Sequence, residues 1–419
     1  MNKRIILTNV NLFDGVNDQL LEKYTLVVED GCIKEMFPDM EKTLENGKVI
    51  SLAGYTLTPG FIDCHMHMLL EEVTDKEQSL STTSPGGERL DTAQAAVAYL
   101  GGYNCRRMLD AGFTTVIDGG GNNFIECALK EAVNKGYLEG PDLYIAGKQI
   151  TTNRAHFVGF SMEPYGPYGM RKAVRDLMYH SVDHIKLQLS PPIRMIGRNS
   201  LACDFTVEEI EAAIDEAHNY ATPVHAHLRG AEAIKRFLKA DGDLVVHGTG
   251  IDEEGIDLMI KKKRFLLATL QSPTPTPSKE LLDAKSQGVI DLLATTAERH
   301  WASVRKAYEA GVKIAFSTDA GTLGIHVGTN AIEFMNLKKI FKTSLIIKPS
   351  QRKKPTHSRT DGMNAASSFF IEKGTALLIL AKRAFLPVNF IVQATAKLPF
   401  CLSVFMCYNS MNRIWEYSI

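Results

Sequence analysis

The 419-residue sequence lacks an unbroken apolar run of the roughly 18 residues that a membrane-spanning helix needs. It also lacks a charge excess, because 47 Lys and Arg face 48 Asp and Glu, so nothing in the composition points to nucleic acid. The seven cysteines are odd in number and show no paired spacing, and the opening MNKRIILTNV has too short an apolar run for a signal peptide. We therefore expect reduced thiols, a cytoplasmic location and small-molecule partners, with neither nucleic acid nor membrane among them.

The pattern of strand-like and helical segments along the sequence changes near residue 61. Residues 1–60 alternate short β-rich runs with Asp-Gly and Asn-Gly turns, which predicts a small antiparallel sheet. From there to residue 336, eight strand-like runs alternate with helical segments such as VEEIEAAIDEAHNY. This order predicts an α/β fold, a (β/α)₈ barrel of the TIM type over 61–336, with residues 1–60 forming a small accessory domain.

The segment 337–419 departs from this pattern. It holds 13 Lys and Arg against 3 Asp and Glu, and the stretch SLIIKPSQRKKPTHSRTDG has the composition of a loop or disordered segment. Because composition and pattern fail together, we hypothesise a reading-frame change near residues 336–340. In that case the sheet of the first sixty residues would lack its usual C-terminal partner strands.

Two histidines, His65 and His67, end the apolar run TPGFIDCHMH. Residues two apart in a strand point to the same side, so both imidazoles would face the mouth of a barrel. A His-x-His pair alone is also consistent with ordinary polar residues at a strand end. The residues at the other strand ends distinguish a metal site from an ordinary pair of polar strand-end residues.

Further polar side chains stand where barrel strands should meet their loops: Lys186, His225, His227, His247 and Asp319. Imidazole nitrogen and carboxylate oxygen are the ligands that zinc prefers. A lysine is suitable only if its neutral amine reacts with carbon dioxide, which would turn it into a carbamate with one oxygen for each of two metals. A strand-capping or ion-paired lysine, and an aspartate that caps the next helix, remain the alternatives.

The ordered motifs TPGFIDCHMH, IKL, HAH, VVHG and STDAG resemble the amidohydrolase superfamily, especially its binuclear metal-dependent dipeptidases related to imidazolonepropionase. The resemblance covers about residues 1–336, and in this family the N-terminal and C-terminal segments together form a β-sandwich-like domain. It implies two divalent metal ions, with zinc the expected metal. By this resemblance His65, His67 and Asp319 would hold one ion, His225 and His247 the other, and carboxylated Lys186 would bridge them.

The same resemblance implies a mechanism. A hydroxide shared by the metals would attack an amide carbonyl, while Asp319 takes the water proton and passes it to the leaving nitrogen. His156, on the loop after the third strand, would polarise the carbonyl or bind substrate. Substrate contacts are also expected from His227, Arg154 and His326, although Arg154 is equally consistent with a solvated loop residue and His326 with a loop-stabilising one.

These observations favour an amide hydrolase that acts on dipeptides or N-acyl amino acids and forms a homo-oligomer. The alternatives are a deaminase or an imidazolonepropionase-like cyclic-amide hydrolase, and an inactive metal-binding homologue. Deaminases of the superfamily carry a Glu soon after the fifth-strand histidine, whereas Glu232 is seven residues beyond His225. The inactive reading is suggested by residues 154–155 and 191–192, where Arg-Ala and Pro-Pro replace the Gly-Gly pairs of related dipeptidases.

Overall fold

The structure is a computed structural model. It describes residues 4–13, 20–39, 46–70, 91–121, 123–152, 161–191, 193, 199–273, 287–322 and 324–341, together with five short strands between 347 and 407. Arg154, Ala155, His156 and Pro192 lie outside the described residues.

The first sixty residues form five strands: β1 (Arg4–Leu12), β2 (Leu21–Glu29), β3 (Cys32–Pro38), β4 (Lys48–Ser51) and β5 (Thr56–Leu57). β1 pairs antiparallel with β2, and β2 with β3, but β1 runs parallel to β4 and β5. The expectation of an antiparallel sheet was therefore wrong in part, because side-chain alternation fixes which face is buried and not the direction of the neighbouring strand. Leu7, Val10 and Leu26 belong to an apolar cluster formed by this sheet.

All eight strand-like runs predicted from residue 61 form strands. They are β6 (Phe61–Met66), β7 (Phe113–Asp118), β8 (Asp142–Tyr144), β9 (Ile185–Gln188), β10 (Val224–Arg229), β11 (Leu244–Thr249), β12 (Phe265–Leu267) and β13 (Lys313–Ala315). A helix follows each of them: α1 (Asp91–Asp110), α2 (Ile125–Asn134), α3 (Gly166–Tyr179), α4 (Val207–Asn219), α5 (Ala231–Lys239), α6 (Glu253–Lys261), α7 (Gln287–Ala310) and α8 (Ile332–Ile340). The predicted strand-helix alternation is confirmed.

The eight strands pair in parallel within two groups. β6, β7 and β8 are neighbours in one sheet, and β9 to β13 are neighbours in chain order in another. Backbone hydrogen bonds connect the groups at both edges. The N–H of Cys64 donates to the carbonyl of Phe316 at 2.9 Å, and the N–H of Ile150 donates to that of Lys186 at 2.9 Å. The α/β fold with parallel sheets is confirmed.

Helix α4 shows how the local sequence fixes the elements around the strands. Its N-cap Thr206 accepts a hydrogen bond from the N–H of Glu209, and the Glu209 carboxylate accepts from the N–H of Thr206. This reciprocal capping box satisfies two N–H groups that a helix start otherwise leaves unpaired. Ile210 and Ile214 lie on the buried face of α4 and join the main core between strands and helices.

The C-terminal segment contributes strands β14 (Ile347–Pro349), β15 (Phe369–Glu372), β16 (Thr375–Leu378), β17 (Asn389–Val392) and β18 (Ser403–Cys407). β18 pairs parallel with β5 and antiparallel with β17, and β15 pairs antiparallel with β13. The N-terminal sheet therefore has C-terminal partner strands, contrary to expectation. Ladder hydrogen bonds come from the backbone, so short apolar runs can pair without strict alternation.

Two further expectations concern the thiols and the membrane. Cys32, Cys64, Cys105, Cys127 and Cys203, the cysteines that the structure describes, are free thiols, as expected. Within the described residues, no helix combines the length and the apolar character needed to cross a bilayer.

Candidate metal centre

The histidine pair is held by a hydrogen-bonded aspartate beneath it. Asp63, two residues before His65 on β6, accepts hydrogen bonds from the Thr318 hydroxyl and the Asn330 amide, each at 2.6 Å, and from the His65 N–H at 3.1 Å. Burial raises the pKa of Asp63 to about 6. These contacts tie β6 to the segment after β13, which places His65 beside Asp319.

His65, His67 and Asp319 converge in the interior. Nε2 of His65 lies 3.4 Å and Nε2 of His67 lies 3.5 Å from the same carboxylate oxygen, Oδ1 of Asp319. One ligand atom from each residue falls within 4.8 Å of the others, and all three residues are buried. Two imidazoles and one carboxylate at this separation fit a divalent metal site.

The charge of Asp319 is maintained in this environment. Burial by itself raises the pKa of its carboxyl, but contacts with His65 and His67 outweigh burial and hold the pKa well below its usual range. Its second oxygen, Oδ2, accepts a hydrogen bond from the hydroxyl of Ser272 at 2.6 Å. Asp319 is therefore an ionised carboxylate with a fixed orientation.

Lys186 lies against this group from β9. Its Nζ is 3.1 Å from Nε2 of His65, and only 1% of the residue is exposed. Burial lowers the pKa of Lys186 to about 7, so the neutral amine is accessible near neutral pH. In the part of the chain that the structure describes, Lys186 forms no ion pair with a carboxylate, which removes support for the ion-paired alternative.

His247, on β11, is oriented by Thr269. Nδ1 of His247 lies 2.7 Å from the Thr269 hydroxyl, which itself donates to the carbonyl of Ala268 at 2.8 Å. The hydroxyl must then accept from Nδ1–H, which makes Nε2 of His247 the acceptor nitrogen. Nε2 of His247 lies 2.9 Å from Nδ1 of His227.

His225 faces the same interior from β10. Its ring stacks on that of His184 at a centroid distance of 4.2 Å, and its buried Nδ1 has no hydrogen-bond partner among the described residues. Burial, and then the neighbouring His184, place the pKa of His225 well below its ordinary value. Burial likewise lowers the pKa of His65 to about 3. Neutral imidazoles of this kind are the form that binds metal.

A glycine after β7 makes room for the histidine pair. A Cβ atom added at Gly119 would lie 2.5 Å from Cε1 of His65 and 2.8 Å from Cε1 of His67, closer than real Cβ atoms approach. At the next residue, the carbonyl of Gly120 accepts from Nδ1 of His67 at 3.1 Å. In its neutral form His67 therefore keeps the lone pair on Nε2, the atom that faces Asp319.

Three residues of the site adopt backbone conformations that side chains disfavour. The φ angles are +69° at His247, +47° at Thr269 and +62° at Asp319. Such left-handed conformations cost about 1–3 kcal/mol each and persist only where the surroundings hold them. The N–H of Asp319 is held by the carbonyl of His65 at 2.8 Å. Strain concentrated on these residues is typical of a functional site.

The predicted site residues fall into three groups. The six predicted ligands are all buried on neighbouring strand ends: His65, His67, Lys186, His225, His247 and Asp319. His227 lies beside His247, whereas His326 is exposed on the loop before α8. The proposed substrate residues Arg154 and His156 lie outside the described residues.

Sequence reasoning missed the residues that orient the ligands, including Ser272, Thr269 and Gly119. Ser and Thr hydroxyls have no spacing pattern that separates them from ordinary loop residues. His184 did carry a signal, because it lies two residues before Lys186 and alternate positions share a face.

Comparison with known proteins places the site in a family. The model of the amidohydrolase family matches residues 56–367, beyond the predicted limit near 336. Ochratoxinase from Aspergillus niger is 26% identical over 300 residues, which cover 64% of this chain and 58% of that protein. Imidazolonepropionase from Klebsiella pneumoniae is 31% identical over 112 residues, covering 23% of this chain and 27% of that protein.

A solved structure agrees with these matches. The crystal structure of a Xaa-Pro dipeptidase with bound methionine in the active site aligns with a TM-score of 0.70 and 28% identity, covering 81% of this chain and 84% of that one. The chain spans under two thirds of the length of ochratoxinase. Because the family model matches most of the chain and the predicted motifs occur in order, the chain belongs to the amidohydrolase family, a family of hydrolases.

Proposed function

We propose that this protein hydrolyses the amide bond of a dipeptide or an N-acyl amino acid with the help of two divalent metal ions, zinc being the expected metal. The observation that carries the proposal is the convergence of His65, His67 and Asp319 with the buried amine of Lys186. The names of the relatives, a Xaa-Pro dipeptidase and an ochratoxinase, support an amide substrate.

The spacing of His65, His67 and Asp319 suits a bound metal ion better than direct hydrogen bonds between the side chains. Nε2 of His65 and Nε2 of His67 lie 3.4 and 3.5 Å from Oδ1 of Asp319, longer than the roughly 2.7–3.2 Å of a good hydrogen bond. A cation between these atoms would convert the contacts into ligand bonds. We assign His65, His67 and Asp319 to one ion and His225 and His247 to the other.

Lys186 would supply the bridge. Its neutral nitrogen attacks the carbon of carbon dioxide and loses a proton, which yields a carbamate of charge −1 with two oxygens. Burial favours this reaction because it lowers the pKa of Lys186 to about 7. An anion at this position would offset the repulsion between two cations about 3.5–4 Å apart.

When bound, the metal ions would polarise the amide carbonyl and make hydroxide available near neutral pH. Asp319 would accept the proton of the attacking water and deliver it to the leaving nitrogen. Its low pKa makes it ionised at the start, and Ser272 fixes its orientation. His227 beside His247 is assigned to substrate, together with His156, Arg154 and His326.

The finer architecture belongs to the same proposal. The bonds from Cys64 to Phe316 and from Ile150 to Lys186 support a closed eight-stranded barrel. We divide the chain into an accessory β domain at 1–60, the barrel at 61–336 and an atypical segment at 337–419. A cytoplasmic homo-oligomer remains our expectation for the assembled protein.

A second candidate is a cyclic-amide hydrolase, favoured by the match to imidazolonepropionase. Deamination is less favoured, because Glu232 is turned away from the site and bonds to Arg236 at 2.8 Å on the exposed face of α5. Glu232 therefore cannot act as the active-site Glu that a deaminase would need.

The test is a hydrolysis screen of dipeptides, N-acyl amino acids and cyclic amides with metal-loaded protein, measuring the released amine. We expect turnover of a linear amide, and a loss of at least roughly 100-fold in Asp319→Asn, the scale of general acid-base catalysis. Asp291→Asn, an exposed residue of α7, is the matched control. Turnover of cyclic amides alone would favour the second candidate, and no turnover of any class would contradict the proposal.

A further inference from the structure

Arg229 is a buried cation for which the described residues supply no anionic partner. It ends β10, two residues after His227, and only 2% of it is exposed. Residues two apart on a strand share a face, so Arg229 follows the two histidines toward the carboxyl end of the strand. In an α/β barrel that end is where substrate enters.

The described residues accept few hydrogen bonds from the Arg229 guanidinium. Nη1 donates to the hydroxyl of Thr249 at 3.0 Å, and the buried Nε–H has no acceptor among the described residues. No carboxylate of the described residues lies within ion-pair distance of Arg229, whereas the half-buried Arg236 has Glu232 at 2.8 Å. A guanidinium has five N–H donors, and a neutral hydroxyl satisfies one of them.

A buried guanidinium with few hydrogen-bond acceptors destabilises the folded protein unless an anion binds to it. Burying a charge without a paired group carries a large desolvation penalty, and proteins normally supply a partner. The backbone around Arg229 is fixed for this purpose, because its N–H and its carbonyl both bond to the hydroxyl of Ser190, at 3.0 and 2.8 Å. Ser190 thus fixes the backbone and Thr249 one side-chain donor, while the Nε–H finds no acceptor in the part of the chain that the structure describes.

Arg229 lies beside the residues assigned to the metals. It is two residues from His227, whose Nδ1 lies 2.9 Å from Nε2 of His247. Its Nη1 bonds to Thr249, two residues after His247 on β11. An anion bound at the Nε–H of Arg229 would therefore lie next to the proposed ligands.

We propose that Arg229 binds the carboxylate of the substrate, so that the enzyme acts on amides that carry a free carboxylate and not on the corresponding neutral amides. This inference rests on the proposed function and specifies its substrate class. The planar fork of a guanidinium matches a carboxylate in a two-pronged contact. Arg229 then acts as a specificity-determining residue that contacts substrate.

A different account would give Arg229 only the task of balancing the negative charge of Asp319 and of a Lys186 carbamate. In that case its removal would weaken the metal site and affect all substrates alike. The carboxylate account predicts a loss confined to substrates with the carboxylate. Comparing each substrate that carries a carboxylate with its neutral carboxamide distinguishes the two accounts.

The experiment uses metal-loaded full-length protein and a panel of N-acetyl-L-amino acids with their carboxamides. Binding is measured by calorimetry in the presence of metal, and kcat and KM are measured for every pair that turns over. The variants are Arg229→Met and Arg229→Lys, with Arg236→Met, at a half-buried arginine that has its own carboxylate partner, as the control. The metal content of each variant is determined.

We expect the unmodified protein to prefer an acid over its carboxamide by roughly 100-fold, since a site built for a charged group rejects the analogue that lacks it. Arg229→Met should remove that preference, mainly through a higher KM for the acid, and should affect the carboxamide far less than the acid. Arg229→Lys should restore part of it, and Arg236→Met should resemble the unmodified protein.

Two outcomes overturn the inference: equal affinity of the unmodified protein for acids and carboxamides, or equal losses on both substrates in Arg229→Met. Selective binding of acids without hydrolysis would contradict the proposed function and leave the assignment of Arg229 standing. Hydrolysis without any preference for acids would support the proposed function and contradict the assignment of Arg229.

Discussion

The Nζ atom of Lys186 lies 3.1 Å from Nε2 of His65, and both residues are buried. Two nitrogen groups at this distance share at most one proton, and burial lowers the pKa of both side chains, to about 7 for Lys186 and about 3 for His65. The site therefore brings neutral nitrogen ligands together with the carboxylate of Asp319, which is a favourable environment for cations.

Replacing Lys186 tests its assigned role as the bridge. Lys186→Met should lower hydrolysis by at least roughly 100-fold, the scale on which loss of one preorganised charge contact acts. Metal content should fall at the same time, because the second ion loses its anionic ligand. Lys306→Met, a lysine on α7 that pairs with Glu253 on the surface, is the control. A Lys186→Met protein with full metal content and full activity would remove Lys186 from the site.

The space at Gly119 gives a second prediction. Gly119→Ala would insert a methyl group 2.5 Å from His65 and 2.8 Å from His67, so the imidazoles must move. We expect a stability loss of about 1–3 kcal/mol, typical of overpacking, and weakened metal binding. Urea unfolding and metal titration measure the two effects.

A matched glycine is available within α1. A Cβ atom at Gly102 would come no closer than 3.5 Å to Leu138, and Ala is favoured over Gly inside a helix. Gly102→Ala should therefore keep metal affinity and retain or raise stability. Equal metal affinity in both variants would show that the histidine pair does not depend on Gly119.

Ser272 provides a third test, because it orients the carboxylate of Asp319 at 2.6 Å. Ser272→Ala should weaken metal affinity or activity by about 10–100-fold, as loss of a residue that orients a ligand usually does. Thr295→Ala removes a comparable hydroxyl, bonded to a carbonyl of the exposed α7 face, and should change neither. Unaltered metal affinity and activity in Ser272→Ala would mean that Asp319 keeps its orientation without this bond.

A pH-dependent prediction comes from Glu126 at the start of α2. Burial, and then the charge of Asp118, raise the pKa of Glu126 to about 8. The folded protein thus keeps a proton that the unfolded chain has released, so stability is greatest below the unfolded pKa of Glu and falls as pH rises toward 8. The slope is about 1.4 kcal/mol per pH unit across that window.

Glu126→Gln should remove this slope, since an amide does not titrate and its oxygen can still accept from Gly121, as Oε1 does at 3.2 Å. The free energy of unfolding of metal-free protein between pH 5 and 9 measures the difference. Glu298→Gln, on the exposed face of α7, should retain the pH dependence of the unmodified protein. Parallel pH profiles for Glu126→Gln and the unmodified protein would contradict the assignment.

The sequence was sufficient to predict the alternation of strands and helices and the buried positions of His65, His67 and Asp319. Each lies at a strand end, where period-2 alternation and the parallel arrangement determine which way a side chain points. The direction of β4 and β5 and the pairing of β18 with β5 were not predictable in this way, because they depend on backbone bonds between distant segments. The positive φ angles at Thr269 and Asp319 likewise come from tertiary contacts.

The contacts that orient the proposed metal ligands were also not predictable from the sequence. Ser272 meets Asp319 across 47 residues, and Gly119 meets His65 across a similar separation. Single hydroxyls and glycines carry no periodicity, so their roles become visible only when the strands are placed side by side. Arg229 was overlooked because its burial, with no ion-paired carboxylate among the described residues, becomes visible only in the folded interior.

The central claim is a two-metal site bridged by Lys186, and metal content tests it most directly. Elemental analysis of purified protein supplied with zinc and bicarbonate should give close to two ions per chain, reduced in Lys186→Met. One ion or none under these conditions would contradict the bridged site and favour a mononuclear enzyme or an inactive homologue.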